Sequence, residues 1–280
     1  MKKQSIMLFI SILITGLFSS CIHKTVKTEE KDFTKKYYLS KDTTLGALNI
    51  DIEVEFPVAY TNKDVLNSIR STIISNLFGE DYVSHSNDSI IQLFATDIAA
   101  DYKANNAPLI NKLDSSSSYS FNNEHTLSGF SLLSDKNIYA YGIERYVYMG
   151  GAHGLETRNY YNFDLKTGKI ITEKDLFVAN FEAALSELIK KRIIEESKEI
   201  KGKDAEPILS LENTDFWTDS IKGNNNFYIT DESINYVFNP YEIAPYYIGE
   251  TEVTIPFNRI TKLLKPNSPI AYLVEKQAKR

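Results

Sequence analysis

Residues 49–56, Asn-Ile-Asp-Ile-Glu-Val-Glu-Phe, alternate polar and apolar side chains without a break. Successive side chains on an extended backbone point to opposite faces, so this run needs a sheet that is dry on one side and wet on the other. Ile50, Ile52, Val54 and Phe56 mark the dry face, and Pro57 is the expected end. The period then changes. Thr61 or Asn62 can cap a helix in which Val65, Leu66, Ile69, Ile73 and Leu77 recur at helical spacing before Gly79. A second helix is expected after Asn87, with Ile91, Phe94, Ile98 and Tyr102 on its buried stripe. Residues 105–118, which contain four consecutive serines, read as a loop. Strands are expected over about 119–130, 137–148 and 157–163, followed by a hairpin loop at 164–169 with Gly168 in the left-handed position. Asn180 can cap an amphipathic helix that turns Phe181, Leu185, Leu188, Ile189 and Ile193 inward. Further strands are expected around 227–230, 234–238 and 252–255, then a short helix over 257–264 that ends at Pro266. Hairpins are frequent and no regular βαβ alternation exists. The fold class is therefore α+β: two mixed helix and antiparallel-sheet halves that share, or are joined by, a central strand.

The front of the chain reads as an address. Lys2 and Lys3 precede an apolar run from Ile6 to Phe18, the length of a signal peptide and too short to span a bilayer comfortably. Ser19 and Ser20 lead to Cys21, the only cysteine in the chain. This resembles a bacterial lipoprotein signal, cut before a lipidated cysteine, although Phe18 stands where a branched aliphatic residue is usual. Residues 22–44 are polar, without apolar periodicity, and suit a tether. The expected organisation is a signal over 1–20, a flexible tether over 21–44, one α+β domain over 45–149, a second over 150–266, and a weakly ordered tail over 267–280.

Composition excludes several function classes. The 280 residues hold 31 Lys and Arg against 37 Asp and Glu, a net charge of −6. Loss of residues 1–20 leaves 29 basic residues against 37 acidic ones, or −8. A nucleic-acid binder would be basic. One cysteine and four histidines build neither a disulfide framework nor a cysteine-rich zinc site. No nucleophile elbow or phosphate-cradling glycine loop is present, so no cofactor or metal is expected. A composite site of His125, His153 and carboxylates stays open. So does paired-carboxylate glycosidase chemistry from Glu144, Glu156 and Asp164.

One segment stands apart: Tyr146-Val147-Tyr148-Met149-Gly150-Gly151-Ala152-His153-Gly154. Its glycines allow positive φ and close approach by another group, and they place the expected break between the halves at Gly150-Gly151. His153 can meet a ligand or fix the loop by bonding a carbonyl. Together with Tyr161-Asn162-Phe163-Asp164, Asp175-Leu176-Phe177 and the stretch from Ile234 to Gly249, this loop resembles a bacterial envelope domain family of unassigned function. The residues from about 45 to 148 resemble the domain that commonly precedes it. The family includes the extracellular part of RsiV-type anti-sigma factors, which bind lysozyme, and an accessory region of PdaC-type peptidoglycan deacetylases. The sigma-binding segment of the former and the catalytic domain of the latter have no counterpart in this sequence.

The resemblance implies a noncatalytic binding module for a cell-wall glycan or a partner protein such as lysozyme, held by lipid in the envelope and facing the periplasm or the cell surface. Tyr146, Tyr148, Gly150, Gly151, His153, Tyr161, Tyr241 and Tyr246 are the candidate ligand-binding residues, because tyrosines cluster around the family motifs and can stack on sugars or anchor an interface. The rival is a cell-wall hydrolase or deacetylase-like enzyme that uses His153 and nearby carboxylates. Three short matches, at Asp42, Asp88 and Asp219, resemble the O-glycosylation triplet of Bacteroidetes. Lipidation at Cys21 predicts that the mature protein fractionates with membranes and that Cys21→Ser releases it or leaves an uncleaved precursor. Fractionation and mass measurement of the two forms check this.

Overall fold

The computed structural model describes residues 25–112, 121–199 and 208–279. The expected signal segment and Cys21 lie outside them. A five-stranded sheet has the order β1-β2-β3-β4-β5, formed by Lys27–Tyr38, Ala47–Ala59, Asn123–Ser134, Ile138–Tyr148 and Leu155–Asp164. Between β2 and β3 run two helices, α1 (Lys63–Leu77) and α2 (Asn87–Asn106). Asn62 caps α1, its side chain accepting from the backbone N–H groups of Asp64 and Val65. The alternating run occupies β2, and Ile50, Ile52, Val54 and Phe56 are fully buried against Ile69, Ile73 and Leu77 of α1 and Ile90 and Ile91 of α2. Tyr139, Tyr141 and Ile143 of β4 and Phe163 of β5 complete this first core.

A second sheet, β6-β7-β8, consists of Phe227–Ile229, Ser233–Phe238 and Thr251–Pro256. Two helices lead to it, the single turn α3 (Glu173–Leu176) and the long α4 (Glu182–Glu199). Leu185, Ile189 and Ile193 of α4 pack with Phe227, Tyr236, Phe238, Val253 and Ile255. Two short helices, α5 (Phe257–Ile260) and α6 (Ala271–Ala278), close this second core with Phe257, Ile260 and Leu273. Ile138 at the start of β4 belongs to this core while Tyr139 belongs to the first, so one strand serves both halves.

Asparagine side chains join the halves. β5 is the outer strand of its sheet; its C-terminal end pairs with the backbone of residues 169–171, and the rest of its edge meets side chains instead of another strand. The Arg158 N–H donates to Asn239 Oδ1 at 2.6 Å, and the Tyr160 N–H to Asn226 Oδ1 at 2.9 Å. The Arg158 carbonyl accepts from both amides, at 2.8 Å from Asn226 and 3.0 Å from Asn239. Asn162 reaches the other way: it donates to the Phe227 carbonyl at 2.7 Å and accepts from the Ile229 N–H at 2.9 Å. Each amide carries both donor and acceptor groups, so it can stand in for a strand residue where the two sheets meet.

Several expectations need correction. Residues 27–38, placed in the flexible tether, form β1 in register with β2, because Phe33 and Tyr37 can lay partly buried rings on the first core. The β2–β3 pair is parallel, since the two intervening helices make the crossover that a parallel pair requires. Pro57 does not end β2. Its pairing with β3 stops at Val54, so the missing N–H falls on a free edge, and its carbonyl accepts from Arg70 at 2.8 Å. Gly150-Gly151 turns the β4–β5 hairpin inside the first sheet, so the passage between the halves follows Asp164 instead. The tail expected to be weakly ordered contains α6, anchored by Leu273 and by the Tyr272 hydroxyl on Asp135.

Asn162→Ala leaves a buried carbonyl and a buried N–H without partners and should cost about 2–4 kcal/mol, while Phe163→Ala, at a fully buried ring, should cost about 3–5 kcal/mol. Equilibrium denaturant unfolding measures both. A loss below about 1 kcal/mol at Phe163 would place the ring on the wrong face.

Candidate functional site

The face of the β4–β5 hairpin turned away from the first core carries Glu144 and Tyr146 on β4 and Glu156, Arg158 and Tyr160 on β5. Arg158 is its centre. Its guanidinium lies 2.9 Å from Glu250 and 3.0 Å from Glu156, both hydrogen-bonded, and Nε lies 3.3 Å from Glu144 without hydrogen-bond alignment. Burial by itself would lower the Arg158 pKa, but the three carboxylates outweigh it and the net shift is upward. Burial raises the Glu250 pKa, against the pull of Arg158 and with the repulsion of Glu156, Glu252 and Glu144. Three carboxylates around one guanidinium leave a net negative field on this face.

Above it stands the glycine loop. Gly150 and Gly151 hold φ of 80° and 123°, which side-chain-bearing residues adopt rarely. At Gly154 an added Cβ would lie 2.5 Å from the Tyr146 ring, so only glycine lets the ring close over the backbone. The freed chain lays His153 flat on Tyr246, with centroids 3.8 Å apart and planes 19° from parallel. The Tyr246 hydroxyl donates to the Gly154 carbonyl at 2.8 Å, and His153 Nδ1 lies 3.0 Å from the same oxygen. A carbonyl can only accept, so Nδ1 carries a proton in this contact. Tyr241 lies 5.5 Å beyond Tyr246, tilted 33° to it, and is 53% exposed, and Tyr148 donates to the Gly151 carbonyl at 3.0 Å. The result is an open aromatic ledge over an acidic base.

The structure thus gathers Tyr146, Tyr148, Gly150, Gly151, His153, Tyr241 and Tyr246 around one loop. It does not bring Tyr161 there. That side chain alternates to the opposite face, where its hydroxyl donates to Asn76 of α1 at 2.9 Å. His125 is also on that side, edge-on to Phe94 of α2, so no composite site with His153 forms. Asp164 caps the turn that follows β5, accepting from the Lys166 N–H at 2.7 Å, and Glu144 and Glu156 are held by Arg158. Among the described residues no group of three or more His, Cys, Asp and Glu side chains is placed to hold a metal ion. Arg158, Glu250, Asn226 and Asn239 carry no local signal as a group, because the contacts that join Glu250, Asn226 and Asn239 to β5 span 66 to 92 positions of the chain.

Residues 174–258 match the family model DUF3298, a protein of unknown function. This stretch is similar to DUF3298 domains. It supplies Tyr241, Tyr246 and Glu250, while the glycine loop that leans on them precedes it. The chain is 31% identical over 131 residues to the anti-sigma-V factor RsiV of Bacillus subtilis (strain 168), across 44% of this chain and 42% of that protein. It is 28% identical over 151 residues to the peptidoglycan-N-acetylmuramic acid deacetylase PdaC of the same organism, across 51% of this chain and 31% of that protein. The chain therefore spans less than half the length of either curated relative. A crystal structure of a DUF3298 family member from Bacteroides fragilis superposes with a TM-score of 0.79 at 23% identity, over 90% of this chain and 98% of that one. One from Pseudomonas aeruginosa PAO1 gives 0.52 at 15% identity, over 86% and 95%. At these identities the likeness establishes the fold alone.

Burial, reinforced by the nearby Arg145 charge, lowers the His125 pKa from 6.5 to about 4. A depressed folded-state pKa means that the unfolded chain binds the extra proton first. The stability this neutral ring contributes is complete above pH 6.5 and drains away as pH falls toward 4. His125→Phe should flatten that part of the stability–pH curve relative to the parent, as measured by denaturant melts at several pH values.

Proposed function

We propose that this chain is a noncatalytic binding module of the bacterial envelope, anchored by lipid, which takes a cell-wall glycan or a partner protein such as lysozyme on the ledge of His153, Tyr246 and Tyr241. The observation that carries the reading is the ledge itself: His153 stacked on Tyr246 with Tyr241 tilted beside it, partly open to solvent and fixed by two contacts to the Gly154 carbonyl. Aromatic faces of this kind suit the apolar side of a sugar ring or the anchor residue of a protein partner. Tyr247, 68% exposed, follows Tyr246 in the chain, and Trp217, 43% exposed, is bonded through its backbone N–H to the Ile243 carbonyl of the same segment. Similarity to an anti-sigma factor and to a peptidoglycan deacetylase supports an envelope setting. Among the described residues, no helix is long and apolar enough to cross a membrane.

The enzyme alternative is weaker on the same geometry. A general acid or base near His153 would have to come from Glu156 or Glu144, and both are committed to Arg158. The net charge of −8 and the acidic base under the ledge favour a basic protein over a neutral glycan, and that preference should be sensitive to salt. Titration of the chain lacking residues 1–21 against lysozyme and against peptidoglycan fragments, each at two salt concentrations, tests the proposal. Saturable binding should weaken by about 2 kcal/mol or more in Tyr246→Ala. Binding to neither ligand removes the proposal. Release of peptidoglycan fragments that is lost in Glu156→Gln favours the enzyme.

A further inference from the structure

On the other side of the glycine hairpin, between the C-terminal end of α2 and the start of β3, a cavity of about 330 Å³ opens to solvent. That volume falls within the range of small-molecule sites. Leu48 and Val147 form part of its apolar lining, and Asp101 and Glu124 stand exposed at its rim. Tyr148 forms a wall that is held in place, because its hydroxyl is bonded to the Gly151 carbonyl. His125 completes the lining, its ring edge-on to Phe94 at 5.6 Å between centroids.

The charges around this cavity restrict what can enter. His125 Nδ1 is sealed off without a hydrogen-bond partner, which leaves Nε2 as the ring nitrogen able to meet a molecule in the cavity. A sealed lone pair is tolerated better than a sealed, unpaired N–H, so the single proton of the neutral ring belongs on Nε2 and points outward as a donor. The ring stays neutral down to about pH 4. Behind it, Arg145 adds positive potential and is itself fixed to the Leu77 carbonyl at 2.8 Å. A cation meets this inner end unfavourably. An anion meets the carboxylates of Asp101 and Glu124 on the way in. An uncharged molecule with hydroxyl groups fits both ends, since a hydroxyl accepts from the imidazole N–H and donates to a carboxylate. Its apolar face would lie on Val147 and the Tyr148 ring.

From this arrangement we infer that the cavity is a second binding site, separate from the ledge, for one uncharged sugar ring oriented by His125 and Asp101. The site stands on its own residues and does not depend on what the ledge binds. Imidazole NMR signals of the purified full-length chain report on it directly, with N-acetylglucosamine and glucose as neutral probes and glucosamine and glucuronate as charged ones. A neutral sugar should shift the His125 signals saturably, and the charged sugars should bind about tenfold more weakly. His125→Phe keeps the ring contact with Phe94 and removes the N–H. Asp101→Ala alters only an exposed side chain and guards against loss through misfolding. Calorimetry should show neutral-sugar affinity reduced about tenfold in each, with ledge binding unchanged. Absence of a saturable shift with both neutral sugars overturns the inference. So does tighter binding of either charged sugar, or unaltered affinity in both variants.

Discussion

The free edge of β5 is the constraint on which the molecule turns. An unpaired strand edge inside a protein leaves backbone donors and acceptors that water cannot reach, and each costs as much as a lost hydrogen bond. Here three asparagine amides answer it. Asn226 and Asn239 take the Arg158 N–H and carbonyl and the Tyr160 N–H, and Asn162 takes the Phe227 carbonyl and the Ile229 N–H of β6 in return. Because an amide offers a donor and an acceptor at fixed spacing, these contacts set the position of the second sheet against the first.

The ledge inherits its geometry from this junction. The clip at Asn239 immediately precedes the segment that carries Tyr241 and Tyr246, so anchoring β5 also delivers those rings to the glycine loop. Arg158 is held by its backbone on one side and by Glu144, Glu156 and Glu250 on the other. Two carboxylates come from the β4–β5 hairpin and the third from the DUF3298 segment. The arginine therefore links the halves electrostatically where the asparagines link them by hydrogen bonds. Isolated surface ion pairs contribute little, but a partly buried guanidinium shared by three carboxylates fixes orientation.

Two different surfaces emerge on either side of one glycine hairpin. One is an open row of stacked rings above a negative field, suited to a broad partner. The other is a small cavity with a neutral imidazole at its inner end and carboxylates at its rim. Tyr148, bonded to the Gly151 carbonyl, belongs to the cavity wall and braces the loop that carries His153. Rigidity in one feature thereby supports the other.

The sequence by itself determined the elements and the faces they bury. Strict alternation along β2 and helical spacing along α1 and α4 each allow one buried face, and Ile50, Ile52, Val54, Ile69, Phe163 and Leu185 are all fully buried. Glycines at 150, 151 and 154 announced a special backbone, because residues with a Cβ rarely adopt the dihedrals at 150 and 151 and meet the Tyr146 ring at 154. Tertiary structure decided what that backbone is for. Local pattern could not show that β1 pairs with β2, since a charged edge strand reads like a tether until its partner is known. Nor could it show that Tyr161 alternates away from the ledge while Tyr146 stays beside it, because a one-residue step inverts the face. Arg158 and its carboxylates, and the asparagine clips, depend on contacts between residues far apart in the chain. No periodicity encodes such contacts; only the folded arrangement brings them together.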